Sequence, residues 1–323
     1  MRTKLEQRQL GRTGVTVTRL GAGGHFTNGP LAHEDIPRRV RELNHLLDLG
    51  VSYFDVQWDP EELATAEVMA TRASEFTVAW PLHGMNQKNP REVRQYVLDY
   101  AKDHRTRYGI RRVDILLWVG LELTGTEASE RVKHAREAFE ALEEEGFCDH
   151  FAFSCHHSPQ TALRAITEFD AFDALMVPYS PLHPAAGREL LPEARRRGVG
   201  TVAMKPFGGG GGFLNMVWAG QVQHPAVKDL RDSAEPYAAS LRWVLNDPNV
   251  DCTVPGAHSV QQIDELHQAV MSEASDADGE LLAWPPTPPR GTESAPPQRS
   301  SREPKRSIDP RGEGLYCARY DRG

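Results

Sequence analysis

No stretch of this chain approaches the roughly 18 consecutive apolar residues of a membrane-spanning helix, so no span is expected. The opening residues, MRTKLEQRQLGRTG, carry no apolar core of the kind a secretion signal has. Cysteine is scarce: four in 323 residues, Cys148, Cys155, Cys252 and Cys317, with no CxxC pair. That spacing suits neither a disulfide scaffold nor a zinc ribbon, and a reducing cytoplasm is the expected compartment. Positive charge is not in excess. There are 37 Lys and Arg against 45 Asp and Glu, a formal net charge of −8, which argues against nucleic-acid binding by the whole protein. HxH and HExxH motifs are missing, and the first apolar strand is not followed by a GxGxxG turn. Local metal motifs and a dinucleotide fingerprint are thus both lacking, and no metal is assigned.

What is present is ordinary globular composition, 39% hydrophobic and 25% charged. The length fits one large α/β barrel or two medium domains, with a sizeable core. The tail differs. Eight of the 23 prolines lie between positions 285 and 310, among Ser, Arg and Glu. Residues 274–323 are therefore expected to be mostly disordered, and 1–273 to form the folded domain.

Within 1–273 strand-like and helix-like segments alternate. A hairpin is expected around 11–14, then a short buried strand ending at 21–24. Further apolar runs are YFDV (53–56), FTVAW (76–80), VDILLWV (113–119), HFAFSC (150–155), ALMVPYS (174–180), GTVAMKP (200–206) and CTVPG (252–256), making eight strands. Between them, 91–107 places Val93, Val97, Leu98 and Ala101 on one helical face, and 127–146 does so with Val132, Ala135, Phe139 and Leu142. Gly50, Gly146 and Gly198 fall where left-handed helix caps belong. Eight strands each followed by a helix, over about 250 residues, predict a (β/α)8 TIM barrel with an N-terminal β-hairpin as a plug.

In such a barrel chemistry sits at the C-terminal strand ends. That rule selects Asp55, Lys205, His156 and His157, each with an alternative as an ordinary ion pair or cap. His25, Asp55, His83, Cys155, His156 and His183 all follow strand ends, a set of types that suits a metal if they converge. Trp58, Trp80 and Trp118 follow strands two to four, either as wall packing or as the roof of an apolar pocket. Residues 206–212 offer flexible backbone N–H groups for a pyrophosphate. A helix starting near Ser259 would favour an anion.

Several stretches, in order, resemble the aldo-keto reductase family over roughly residues 8–272: LGRTGVTVTRLGAGG, LGVSYFDV, FAFSCHH, FDALMVPYSPLH with LLPEARRRGVGTVAMKPFGGG, and LRWVLNDPNVDCTVPGAHSVQQIDEL. The resemblance implies NADP(H)-dependent reduction of a small-molecule carbonyl by a tetrad of Asp, Tyr, Lys and His. Only the aspartate is matched, by Asp55. Pro60 stands at the tyrosine position, Trp80 and Pro81 at the lysine, and Trp118 and Val119 at the histidine. None of these donates a proton to a carbonyl, so His156 or Lys205 is expected to replace the acid, with Asp55 tuning one of them. For the cofactor, the resemblance implies contacts from Ser154 and Tyr179, from Pro206, Gly208, Gly209 and Gly210, and from Gly256, His258, Ser259, Gln262 and Glu265. Cys155, Met176 and Leu266 stand where the family has Asn, Gln and Asn. Two other readings stay open: a catalytically degenerate barrel that binds a cofactor or regulates, and a metal-dependent lyase or hydrolase using the strand-end histidines.

Overall fold

The computed structural model describes residues 4–24, 32–156, 158–181, 183–208, 235–273 and 278. The chain divides into a unit of residues 1–284 and a segment of residues 285–323, and the latter lies outside the described residues.

Two short strands, β1 (Gln7–Gln9) and β2 (Thr16–Thr18), pair antiparallel with Arg8 opposite Val17. Between them a tight turn runs through Gly11, at φ 52°, against the start of a later strand. A Cβ on Gly11 would lie 2.2 Å from the Gly200 nitrogen, so only glycine fits. Leu10 and Val17 are buried in the same cluster as the barrel interior, and the hairpin plugs that end.

Seven parallel strands follow in chain order: β3 (Tyr53–Asp55), β4 (Thr77–Leu82), β5 (Val113–Trp118), β6 (Cys148–Ser154), β7 (Ala174–Pro178), β8 (Gly200–Met204) and β9 (Cys252–Val254). Residues 20–22 bridge the two edges. Leu20 pairs in parallel with Thr253 and Ala22 with Phe54. The Gly21 N–H donates to the Thr253 carbonyl and the Ala22 N–H to that of Tyr53, each at 2.8 Å. The expected eighth strand is thus this short bridging segment, and the architecture is a (β/α)8 barrel.

Eight α-helices are described: α1 (Ile36–Asp48), α2 (Glu61–Arg72), α3 (Pro90–Tyr108), α4 (Ala128–Glu144), α5 (Pro159–Glu168), α6 (Leu190–Arg197), α7 (Glu235–Asn246) and α8 (Val260–Met271). Their ends follow local chemistry. Asn89 and Ser158 cap α3 and α5, each with proline at the first turn, and Ser259 caps α8 by accepting from the Gln262 N–H. Gly50, Gly146 and Gly198 have φ of 85°, 69° and 71°, as left-handed caps require. None of the described helices is long and apolar enough to cross a membrane. Asp278, inside the segment read as tail, is buried and forms a bidentate ion pair with Arg242 of α7, at 2.6 and 2.7 Å.

Strand alternation sorts the core into two layers. Tyr53, Ala79, Ile115, Leu117, Ala152, Met176, Val202 and Cys252 fill the barrel. Phe54, Trp80, Trp118, Phe153, Tyr179 and Ala203 pack between strands and helices.

Candidate active site

That alternation decides which strand-end residues reach the barrel mouth. Trp80 and Trp118 do not. Both are fully buried on the outward side of their strands, Trp80 edge-on to Tyr108 and Trp118 against Phe172. The apolar pocket roofed by three tryptophans is therefore corrected: two are wall residues. Trp58 alone is exposed, 40%, stacked 3.8 Å from His83. His83 is fixed in turn, its Nε2–H donating to the Gln57 carbonyl at 2.8 Å, and burial lowers its pKa.

Three sequence-selected residues do come together. Ser154, at the end of β6, faces inward, and its Oγ accepts from the Gly120 N–H at 3.0 Å. His156 Nε2 lies 3.2 Å from that oxygen, and His156 Nδ1 lies 3.2 Å from Lys205 Nζ at the end of β8. With Lys205 charged, an ammonium only donates, so Nδ1 is the acceptor and Nε2 carries the proton. The imidazole then donates to Ser154 Oγ and leaves the serine O–H to donate onward. This polarity delivers protons into the mouth, and it is the reverse of what a serine nucleophile needs.

Lys205 has φ 56°, the only positive φ at a non-glycine position among the described residues. The left-handed conformation costs a residue with a Cβ about 1–2 kcal/mol, and such strain clusters at functional sites. It turns the lysine off the strand path towards His156. Burial lowers its pKa, and its charge in turn helps burial to lower that of His183. Among the described residues Lys205 has no hydrogen bond or ion pair with Asp55 or another carboxylate, and its partner is His156. An ammonium against His156 Nδ1 also opposes a metal cation there, and among the described residues no three of His, Cys, Asp and Glu converge as ligands. His25 and His157 lie outside the described residues.

Across the mouth, Asp55 is 5% exposed and its Oδ2 accepts from Gln57 Nε2 at 2.5 Å. Behind it Arg39 of α1, buried to 2%, reaches Glu61 at 2.8 Å, Glu42 at 3.4 Å and the Gly23 carbonyl at 2.9 Å. Gly24 makes room for this arrangement. A Cβ there would lie 2.0 Å from Gln57 Cγ and 2.7 Å from Glu61 Oε2. Gly24→Ala is expected to destabilise the fold by about 1–3 kcal/mol, as overpacking does, read as a lower urea midpoint at unchanged m-value. An unchanged midpoint would mean that Gln57 swings away freely.

The remaining cofactor candidates divide. Gly256, His258, Ser259, Gln262 and Glu265 share the corner between β9 and α8. The Gln262 side chain accepts from the His258 N–H at 2.8 Å, Gln261 donates to Glu265 at 3.0 Å, and Arg38 donates to the His258 carbonyl at 3.0 Å. A helix N-terminus flanked by Arg38 and His258 suits a phosphate. Pro206 and Gly208 belong to a closed turn, with the Gly208 N–H on the Lys205 carbonyl and the Ser240 hydroxyl on that of Pro206. Gly209 and Gly210 lie outside the described residues. Tyr179 stands apart from the mouth. It packs in the outer layer on Trp243 and donates to Asp247 at 2.7 Å, where burial and that carboxylate raise its pKa. Cys155 also points outward, and Met176 is part of the apolar barrel filling. Of the positions that would hold a nicotinamide carboxamide, Ser154 remains, with its O–H to give. These residues fit a nicotinamide dinucleotide at its phosphate end and at one carboxamide contact.

Sequence reasoning missed Arg39 and Gln57, since a helix arginine and a loop glutamine give no local signal of a buried role. The Lys205 conformation was equally silent.

The sequence pattern of the aldo/keto reductase family matches residues 20–282. No curated protein matches the chain at sequence level. Among solved structures, an aldo-keto reductase from Bacillus halodurans in its holo form is 19% identical, with 86% of this chain and 95% of that chain covered and a TM-score of 0.65. The apo form gives 18%, 86%, 95% and 0.63. At this identity the structural likeness concerns the fold.

Proposed function

Because the chain belongs to the aldo/keto reductase family, we propose that it is an NADP(H)-dependent oxidoreductase that reduces a small-molecule carbonyl in the cytoplasm, with Lys205 as proton donor. The observation that carries this reading is the strained, left-handed Lys205 held 3.2 Å from His156 Nδ1 at the barrel mouth. The nicotinamide, when bound, supplies hydride to the carbonyl carbon. Lys205 supplies the proton: one Nζ–H bond breaks, an O–H bond forms, and the neutral amine is recharged from water. Burial makes this lysine a stronger acid than a solvated one.

His156 is a positioning residue. It takes one N–H of the ammonium and leaves the others for substrate, while its own Nε2–H is anchored on Ser154. Ser154 would give its hydroxyl proton to the carboxamide. His258, Ser259 and Arg38 at the start of α8 would hold a phosphate, with Gly256, Gln262 and Glu265 shaping that corner. The outward tetrad tryptophans support a second reading, a barrel that binds cofactor without turnover.

NADPH fluorescence titration with an aldehyde panel separates the two. Binding with turnover that is lost in K205M is the expected result. Binding without turnover on any aldehyde would leave the second reading, and absence of binding would remove both. Gly209→Asp is expected to weaken NADPH at least tenfold, because a carboxylate beside a pyrophosphate repels it and a side chain blocks backbone approach. An unchanged Kd would take the glycine run out of the site.

A further inference from the structure

Asp55 matches the aspartate that the family resemblance implies, yet among the described residues no cation is bonded to it. It ends β3 on the inward side, two residues beyond the buried Tyr53, and is 5% exposed. Oδ2 takes the Gln57 amide at 2.5 Å, while Oδ1 is buried without a hydrogen bond among the described residues. Among the described residues, the charged group that acts on it most is a second carboxylate. Glu61 of α2 approaches from behind, and the nearby Arg39 directs its two terminal nitrogens to Glu61, Glu42 and the Gly23 carbonyl rather than to Asp55. Tyr53 and Cys252 lie beneath, both further burdened by an Asp55 charge. The neighbouring strand pairs Ala79 with Asp55 and ends in Pro81 and Leu82, without a cation. Lys205 is bonded to His156.

A buried carboxylate with no cation and a second carboxylate close by is unfavourable, and such a group neutralises itself by taking a proton. A protonated Asp55 needs no counter-ion. It keeps Oδ2 as acceptor for Gln57 and gains an O–H on the side that otherwise has no partner.

We propose that Asp55 acts as a neutral carboxylic acid whose Oδ1–H is offered to an oxygen acceptor, a carbonyl or carboxylate oxygen, of the molecule held in the barrel mouth. Burial first and Glu61 second push its pKa well above the carboxylate range, with the Gln57 hydrogen bond opposing. The same strategy serves other sites in which a buried acid donates a hydrogen bond at neutral pH. The inference rests on the mouth being the ligand site, and it holds whether or not Lys205 is the proton donor.

Infrared difference spectra of the full chain, wild type minus D55N at neutral pH, test the protonation state. A protonated-carboxyl C=O band that shifts in heavy water is expected, and it should persist in K205M. Carboxylate bands alone would overturn the proposal. Stability gives a second reading. With the folded pKa raised, the stability Asp55 contributes is present at low pH and is lost as pH rises through that value. The Tm of wild type should therefore fall relative to D55N as pH rises from the ordinary carboxylate range to the raised value, and a constant gap over that window would count against a raised pKa. Donation to ligand is read with carbonyl-13C benzaldehyde. Its C=O stretch should be lowered in wild type, lowered still in D55N, whose amide also donates, and unperturbed in D55L. An identical stretch in wild type and D55L would overturn the donor role.

Discussion

Replacing Lys205 by methionine is expected to lower kcat by about 10²–10⁴, the usual loss when a general acid is removed, with KM nearly unchanged. Methionine keeps the length and apolar stem of lysine but offers no proton. The pH profile gives an independent signature. As proton donor Lys205 would work as the ammonium, and burial lowers its pKa. Wild-type kcat should therefore fall as pH rises through a value below the ordinary lysine range near about 10.4, and K205M should lack that limb. Retention of kcat within threefold, or an alkaline limb that survives the substitution, would exclude Lys205 as the acid. The backbone adds a contrast. Lys205→Gly also removes the acid but relieves the positive φ, so it should gain about 1 kcal/mol of stability while losing the same activity. A site that holds strain for function loses function and strain together.

Loss of the Arg39 side chain is expected to have the largest effect on stability. Arg39 is 2% exposed and ties Glu42 and Glu61, both buried, to the carbonyl of Gly23 beside the first barrel segment. In Arg39→Leu the buried Glu61 loses its 2.8 Å contact with the guanidinium, while Glu42 keeps Arg38 at 2.8 Å. Breaking such a buried pair from one side typically costs about 3–5 kcal/mol, and in a domain of this size about 2–4 °C of Tm per kcal/mol. A fall of roughly 6–20 °C is anticipated by calorimetry at neutral pH. Arg39→Lys should recover part of it, because one ammonium cannot span three acceptors as a guanidinium fork does. If R39L melts within about 2 °C of wild type, the three-way tie contributes little.

The barrel was legible in the chain because its signals are local. Short apolar runs, helical spacing between them, and glycines at Gly50, Gly146 and Gly198 each depend on a few neighbouring residues, and β3 to β9 fall where those runs lie. The strand-end rule then selected Asp55, Lys205, His156 and His157 without any knowledge of contacts, and the family resemblance added Ser154. The rule also pointed to Trp80 and Trp118, and the resemblance to Tyr179, all of which the fold turns outward. Those errors share one cause. A parallel barrel strand is covered by helices on one side and barrel filling on the other, so both faces are apolar and the period-two pattern that marks the inward face is erased.

What the chain by itself determined is therefore the order of elements and the ends at which chemistry can sit. What only the tertiary structure decided is which residues meet. Lys205 and His156 are 49 positions apart and touch because closure brings the ends of β8 and β6 to one mouth. Arg39 meets Glu61 because α1 packs on α2 behind that mouth. Hydrogen bonds and ion pairs act over a few ångströms of space regardless of separation along the chain, whereas periodicity reports only on neighbours. The left-handed turn at Lys205 belongs to the same class, since a lysine resists that conformation on its own and adopts it here under the constraint of β8 and the turn through Gly208.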